Sequence, residues 1–132
     1  MHSLNHILDV GTPFVIFEAY VSSYHEFIDF IKFGWGSALI DPEFESKKEI
    51  CERFGIKPLL GGTFFEYMIH HHSFADFVKK IEQYGLQCVE LSRGTIDIDD
   101  SVYASYIKQL SSDYYVMSEV GRKSSDPSQA LA

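Results

Sequence analysis

Residues 27–36 have the sequence FIDFIKFGWG, an apolar run that ends in a glycine-rich turn. Short runs rich in Ile and Phe and bounded by glycine are typical of buried strands, so we predict a strand over residues 27–33. Four other short apolar runs end in the same way, at glycine or at polar residues. They cover residues 4–8, 56–60, 87–91 and 114–118.

Helix signals lie between most of these runs. The predicted N-caps are Thr12 before Pro13, Asp41 before Pro42, Ser73, and Asp99 or Asp100. From these caps we predict helices that reach residues 27, 54, 84 and 110, and Gly85 is a termination signal. We expect a loop at Gly61-Gly62-Thr63. We also expect a solvated loop or a helix start at His70-His71-His72, because adjacent histidines do not share one helix face.

The alternation of strand, loop and helix repeats at roughly 25 residues, which predicts an α/β fold with a parallel sheet. Right-handed crossovers leave two candidates, an open doubly wound sheet and part of a (β/α)₈ barrel of the TIM type. In both folds the functional site lies at the carboxyl ends of the strands.

Composition narrows the class of protein. The chain has 132 residues, of which 45% are hydrophobic and 15% aromatic, enough for a globular core. A net charge of −8 argues against a nucleic-acid partner. Two cysteines, Cys51 and Cys88, are too few for a disulfide scaffold, and we expect Cys88 in the core. No apolar stretch is long enough to span a membrane, so we expect a cytoplasmic protein without membrane association.

Polar groups follow all five predicted strands, so we expect them to converge on one rim. They are Asp9 with Gly11, Lys32 with Gly34-Trp35-Gly36, Gly61-Gly62-Thr63 with Glu66, Glu90 with Ser92 and Arg93, and Glu119 with Arg122 and Lys123. We interpret the rim as a crevice for an anion and a metal. Glu90 and Glu119 would hold Mg²⁺, and Lys32 and Lys123 would neutralise a substrate or transfer a proton. Alternatively, Lys32 pairs with Glu90 or Glu119 in interior salt bridges.

Several of these segments together resemble the phosphosulfolactate synthase family. Residues 28–36 are similar to the second-strand signature of that family, and residues 61–66 to its Gly-Gly-Thr-x-Phe-Glu segment. Residues 89–94 resemble the end of its fourth strand, and residues 118–123 its Glu-Val-Gly-Lys-Lys motif. The first strand end, residues 7–13, also fits, and the order and spacing agree up to Lys123.

The resemblance implies a TIM barrel and a Mg²⁺-dependent lyase that adds sulfite to phosphoenolpyruvate in coenzyme M biosynthesis. It implies an acid/base role for Lys123 and a role for Lys32 as partner of phosphate or carboxylate. Metal binding would fall to Glu90 and Glu119. The implied substrate-binding residues are Gly61, Gly62, Thr63, Ser92 and Arg122. Departures from the family pattern are Val10, Arg93 and Arg122, the last in place of a lysine.

Length sets an expectation of its own. A barrel of this kind has about 250 residues, whereas the pattern here supplies five of eight strand–helix units. We therefore expect a partial (β/α) barrel over residues 1–123 and a flexible tail over 124–132. An open sheet edge would be covered by a second copy or by a partner. The alternative is a truncated or inactive homologue that acts as a binding or interaction protein.

Overall fold

The computed structural model describes residues 3–123 and shows an α/β chain whose strands pair in parallel. The chain divides into two compact units, Met1–Leu60 and Gly61–Ala132. The tail predicted at 124–132 lies outside the described residues. Within residues 3–123, no helix combines the length and the apolar character needed to cross a bilayer.

The first unit contains a three-stranded parallel sheet in the order β1-β2-β3. The strands are β1 (His6–Asp9), β2 (Phe30–Phe33) and β3 (Lys57–Leu60). They are connected through the helices α1 (Phe14–Tyr24) and α2 (Phe44–Arg53), with short 3₁₀ turns at His25–Phe27 and Ser37–Leu39. The register pairs His6 with Phe30 and Phe30 with Lys57, so the carboxyl ends of all three strands lie at one edge.

Aromatic side chains form the core of the first unit. The Phe33 ring lies 6.0 Å from the Phe17 ring in a stacked arrangement and 5.0 Å from the Phe44 ring edge-on. These contacts attach α1 and α2 to the central strand, because Phe17 and Phe44 belong to the two helices. Burial of aromatic rings is a major source of stabilisation in a small unit of this kind.

The second unit contains α3 (Gly62–His71), α4 (Phe74–Tyr84), β4 (Cys88–Leu91), α5 (Asp100–Leu110) and β5 (Tyr115–Ser118). β4 and β5 pair in parallel from Cys88↔Tyr115 to Leu91↔Ser118. Phe65 packs edge-on against Phe77 at 5.2 Å, and Phe74 stacks on Tyr106 at 4.1 Å. These ring pairs join α3 to α4 and α4 to α5.

Several local predictions are confirmed. The Asp76 amide donates to Ser73 Oγ at 3.1 Å, so Ser73 caps α4, and Gly85 ends that helix with φ +65°. α5 begins at Asp100, and Cys88 is buried.

Two predicted helix starts need correction. Thr12 does not cap α1, because the helix begins at Phe14 and the Thr12 amide donates to Asp9 Oδ1 at 3.3 Å. The predicted start of α2 is also early, since that helix begins at Phe44. Asp41 nevertheless accepts a hydrogen bond from the Glu43 amide at 2.9 Å, which orders the entry into the helix.

Residues 25–27 and 61–72 also differ from the prediction. α1 ends at Tyr24, and residues 25–27 form a 3₁₀ turn, so β2 covers only residues 30–33. The segment expected to be a loop at 61–63 instead opens α3, and His70 and His71 are its last residues rather than a loop or a helix start. Gly61 and Gly62 concealed the start of this helix because glycine has a low helix propensity, and the first helical amide is capped by Glu90 rather than by a neighbouring residue.

Candidate active site

The N-terminus of α3 is bound to the side chain of Glu90. The Gly62 amide, the first in the helix, donates to Glu90 Oε1 at 2.8 Å, and both residues are buried. A carboxylate is stabilised at this position by the unpaired amides and by the helix dipole. Glu90 therefore serves as the cap of α3, and the Gly62 amide is engaged within the protein.

A close approach between α3 and the end of β4 accounts for the glycine at position 62. A Cβ atom there would lie 2.4 Å from Ser92 Oγ and 2.7 Å from Ser92 Cβ. These separations are shorter than real Cβ contacts, so the position excludes any larger residue unless the helix moves. Gly62 thus lets Ser92 face α3 directly.

Glu66 is a buried carboxylate, 2% exposed, that binds the segment following β4. Ser92 Oγ donates to Glu66 Oε2 at 2.5 Å, and the Thr95 amide and hydroxyl donate to Oε1 at 2.6 and 2.9 Å. From the sequence, Glu66 was expected only among the polar residues after the third strand, without a role of its own. Its signal is a carboxylate on the buried side of α3, between Phe65 and Met68.

Lys123 lies against the same segment. Its amide donates to the Gly94 carbonyl at 2.9 Å, and its Nζ donates to Thr63 Oγ1 at 3.4 Å. A Cβ atom at Gly94 would lie 3.0 Å from Lys123 Cγ, so the lysine stem occupies space left by the glycine. Among the predicted site residues, the structure therefore brings Lys123 and Thr63 into contact.

A small cavity of about 70 Å³ collects four predicted site residues. It is lined by Ser92, Glu119, Arg122 and Lys123, together with Gly94 and residues 120–121. Glu119 is exposed, and its amide donates to the Leu91 carbonyl at 2.9 Å, which extends the β4–β5 pairing. Three of its predicted residues are ionisable, so the cavity has the polar lining that an anionic ligand requires.

Arg122 has an acidic partner outside this cavity. Its Nη2 lies 2.7 Å from Asp97 Oδ1, and both side chains are largely exposed. An exposed pair of this kind contributes little to stability, so a substrate anion could displace Asp97 at small cost.

Arg93, a departure from the family pattern, is turned toward α5. Its guanidinium forms an ion pair with Asp100 and lies 4.9 Å above the centre of the Tyr103 ring. Nη1 also donates to the Ile98 carbonyl at 3.2 Å. Arg93 therefore fastens the segment after β4 to the start of α5.

The two predicted metal ligands lie in β4 and just after β5. Glu90 is in register with Met117, and Glu119 directly follows the last residue of β5. Within residues 3–123, no three His, Cys, Asp or Glu side chains are grouped as ligands. Mg²⁺ is commonly held by one or two carboxylates with waters and substrate oxygens, so these two residues have the donor chemistry of that ion.

The first unit holds a buried ion triad that the sequence analysis did not find. Lys47 is 1% exposed, and its Nζ lies 3.1 Å from Asp9 Oδ2 and 2.6 Å from Asp41 Oδ2. Asp9 also accepts from the Gly11 amide at 3.3 Å, which fixes the turn after β1. A detectable signal was the position of Lys47, three residues after Phe44 and three before Ile50 on the buried stripe of α2.

Hydrogen bonding favours the charged forms of Asp41 and Lys47. Burial acts to raise the pKa of Asp41, but the hydrogen bonds from Lys47 and from the Glu43 amide lower it on balance. Burial likewise acts to lower the pKa of Lys47, and the bonds to Asp41 and Asp9 raise it on balance. Asp41 and Lys47 are therefore stable in their charged forms at neutral pH.

Lys32 lies in the middle of β2, in register with Leu8 and Leu59, and is half-buried. The turn after this strand contains Trp35, which is 75% exposed and has φ +57°. That left-handed conformation is uncommon for a bulky residue, so the turn holds the indole outward at a backbone cost. The tryptophan is not part of the described core.

The amino-acid sequence is similar to those of known phosphosulfolactate synthases. A family model described as (2R)-phospho-3-sulfolactate synthase (ComA) matches residues 1–132. A phosphosulfolactate synthase of Methanocaldococcus jannaschii is 37% identical over 128 residues, which cover 95% of this chain and 51% of the relative.

Two further relatives carry the same name. The Bacillus subtilis protein is 31% identical over 120 residues, covering 91% of this chain and 48% of the relative. The Methanothermobacter thermautotrophicus protein is 28% identical over 109 residues, covering 80% and 42%. The chain thus spans about half the length of the curated relatives it matches.

Proposed function

This chain belongs to the phosphosulfolactate synthase family, and on that premise we propose that it provides the proton-donating lysine of a lyase that joins sulfite to phosphoenolpyruvate. The observation that carries the proposal is the placement of Lys123. Its Nζ is hydrogen-bonded to Thr63 at 3.4 Å, and it shares a cavity with Ser92, Glu119 and Arg122. A cation surrounded by polar groups suits a substrate that bears phosphate and carboxylate.

In the proposed reaction, the chain's own residues carry out one proton transfer. The sulfur lone pair of sulfite forms a C–S bond to the methylene carbon of phosphoenolpyruvate. The electron pair of the double bond then moves to the neighbouring carbon, where the substrate carboxylate delocalises it. The Lys123 ammonium donates a proton to that carbon and completes the addition. Thr63 Oγ1, as hydrogen-bond acceptor, orients the ammonium.

Anion binding in this proposal falls to the residues around Lys123. The Arg122 guanidinium would bind the substrate, exchanging Asp97 for a phosphate or carboxylate oxygen. The Ser92 hydroxyl, which is 1% exposed and donates to Glu66, would shape the wall of the cavity. Gly61, Gly62 and Thr63 would shape the edge where α3 begins. Lys32 is proposed, on the family resemblance, as a partner of phosphate or carboxylate.

Glu90 and Glu119 would hold the divalent ion. When bound, Mg²⁺ would stabilise the negative charge that develops on the substrate carboxylate. The Glu90 carboxylate is already oriented by the Gly62 amide, in the way that hydrogen bonds to metal ligands orient them in other proteins.

We further propose that the strands belong to a (β/α)₈ barrel of the TIM type, of which residues 3–123 form five units. Support comes from parallel pairing, from the alternation of strands and helices, and from the half-length match to the relatives. A barrel needs about 250 residues, so the remaining strands would come from further chain, a second copy or a partner.

Product formation tests the proposed function. Purified chain is incubated with phosphoenolpyruvate, sulfite and Mg²⁺, and phosphosulfolactate is quantified by mass spectrometry. We expect product that disappears when EDTA removes the divalent ion. Lys123→Ala should lower kcat by about 10²-fold or more, because general acid catalysis contributes 10²–10⁴-fold.

The matched control is Lys108→Ala on α5, an exposed lysine outside the cavity, which should retain the wild-type rate. A folded wild-type chain that forms no product would contradict the proposal for this chain. A Lys123→Ala variant with an unchanged kcat would remove the role assigned to that lysine.

A further inference from the structure

We propose that Glu66 is the positioning residue for Lys123, which it holds through the turn at residues 92–95. The proposal rests on the proposed function, because it concerns the lysine assigned there as proton donor. Glu66 is 2% exposed, and Ser92 and Thr95 donate three hydrogen bonds to its carboxylate.

The first step is the attachment of the turn to α3. Glu66 accepts from Ser92 Oγ at one end of the turn and from the amide and hydroxyl of Thr95 at the other. Hydrogen bonds to a carboxylate are stronger than those between neutral groups, and burial strengthens them further. One side chain therefore fixes both ends of a four-residue turn.

The second step connects the turn to Lys123. The Gly94 carbonyl, in the middle of the turn, accepts from the Lys123 amide at 2.9 Å. Because Gly94 has no Cβ, the Lys123 stem packs directly on the turn, where an added Cβ would lie only 3.0 Å from Cγ. A displacement of the turn must therefore displace the lysine.

The third step returns to α3. Thr63, the acceptor for Lys123 Nζ, lies three residues before Glu66, so both side chains are on one helix face. The contacts form a closed ring that runs from Glu66 to the turn, to Lys123, to Thr63 and back along the helix. This ring fixes Lys123 relative to α3 at two points, its backbone amide and its Nζ.

The test compares wild-type chain with Glu66→Ala and Glu66→Gln, with Glu82→Ala on α4 as the control. Glu82 is an exposed glutamate of the same unit. The first readout is amide hydrogen exchange at Thr95 and Lys123, measured by NMR. In Glu66→Ala, exchange at both amides should accelerate roughly tenfold or more, while the amides of β4 stay protected. Glu66→Gln keeps the Oε1 acceptor and should fall between wild type and Glu66→Ala.

The second readout is turnover with phosphoenolpyruvate and sulfite. A positioning role predicts that kcat falls about tenfold or more in Glu66→Ala with KM little changed, and that Glu66→Gln restores part of it. A merely structural role would lower the folded fraction and would leave the kcat of the folded protein unchanged.

Two results would overturn the proposal. One is acceleration at Thr95 with no change at Lys123, because the turn would then not hold the lysine. The other is wild-type exchange at both amides in Glu66→Ala. If Glu66→Ala does not fold, the same comparison of amide exchange at positions 95 and 123 is made with Glu66→Gln and Thr95→Val. A wild-type chain without turnover would refute the proposed function, whereas the exchange data would still decide whether Glu66 positions Lys123.

Discussion

Gly62→Ala is the change that tests the packing of the site most directly. The new Cβ would lie 2.4 Å from Ser92 Oγ and 2.7 Å from Ser92 Cβ. Ordinary contacts begin at 3.4 Å, so α3 and the end of β4 must separate by about 1 Å. The Ser92–Glu66 hydrogen bond, at 2.5 Å, restrains Ser92 from rotating away.

The expected cost follows from this geometry. Overpacking of a tight contact destabilises by about 1–3 kcal/mol. The loss of glycine's freedom in the unfolded chain offsets about 0.4–1 kcal/mol of that cost. We therefore expect the free energy of unfolding to fall by about 1–2 kcal/mol, which lowers Tm by roughly 3–10 °C for a chain of this length.

Gly34→Ala is the matched control, measured with Gly62→Ala by urea unfolding. A Cβ at position 34 would meet Leu8 Cδ1 at 2.5 Å, but that atom is the tip of a half-exposed side chain. The leucine can rotate, so we expect a change within about 0.5 kcal/mol.

A double-mutant cycle identifies the cause. In a Ser92→Gly background, Gly62→Ala should cost at least about 1 kcal/mol less, because the two closest atoms are gone. An unchanged midpoint for Gly62→Ala, or a cost that is the same in both backgrounds, would refute the reasoning.

Three further predictions concern the first unit and the cysteines. Lys47→Met should lower the free energy of unfolding by about 3 kcal/mol or more in urea titrations, because Asp9 and Asp41 lose their shared cation. The stabilisation from Asp41, whose pKa is lowered, is present above about pH 4 and lost as the pH falls through its folded pKa. The contribution of Lys47, whose pKa is raised, is complete below about pH 10 and lost as the pH rises through its folded pKa, so Tm should fall at both extremes. Burial raises the pKa of Cys51 to about 12, so neither it nor the buried Cys88 should react with iodoacetamide at pH 8 before urea is added.

The sequence was sufficient for elements whose signals are local. The five strands were placed to within a few residues, and the cap and stop residues of α4 were found, because Ser73 and Gly85 act on their immediate neighbours. α3 was missed because its first amide is capped by Glu90, which lies 28 residues further along the chain. A local sequence pattern cannot predict a helix cap that a distant strand supplies.

The candidate site shows the same division. Four predicted residues line one cavity, since parallel strands bring their carboxyl ends to one edge, while their chemical roles stay predictions. Lys47 was given no role, because a charged residue on a helix is usually a solvated one. Glu66 was grouped with the polar residues after the third strand, without a role of its own. Their burial depends on which partners the tertiary fold provides, and the sequence does not state those partners.

Pairing of neighbouring strands has a consequence for synthesis on the ribosome. His6 pairs with Phe30, Phe30 with Lys57 and Cys88 with Tyr115, so each pairing closes a loop of roughly 25 residues. Short closures carry a small entropic cost and favour rapid folding. The strands β2, β3 and β5 can therefore each pair with the preceding strand once they have left the exit tunnel, without waiting for distant parts of the chain.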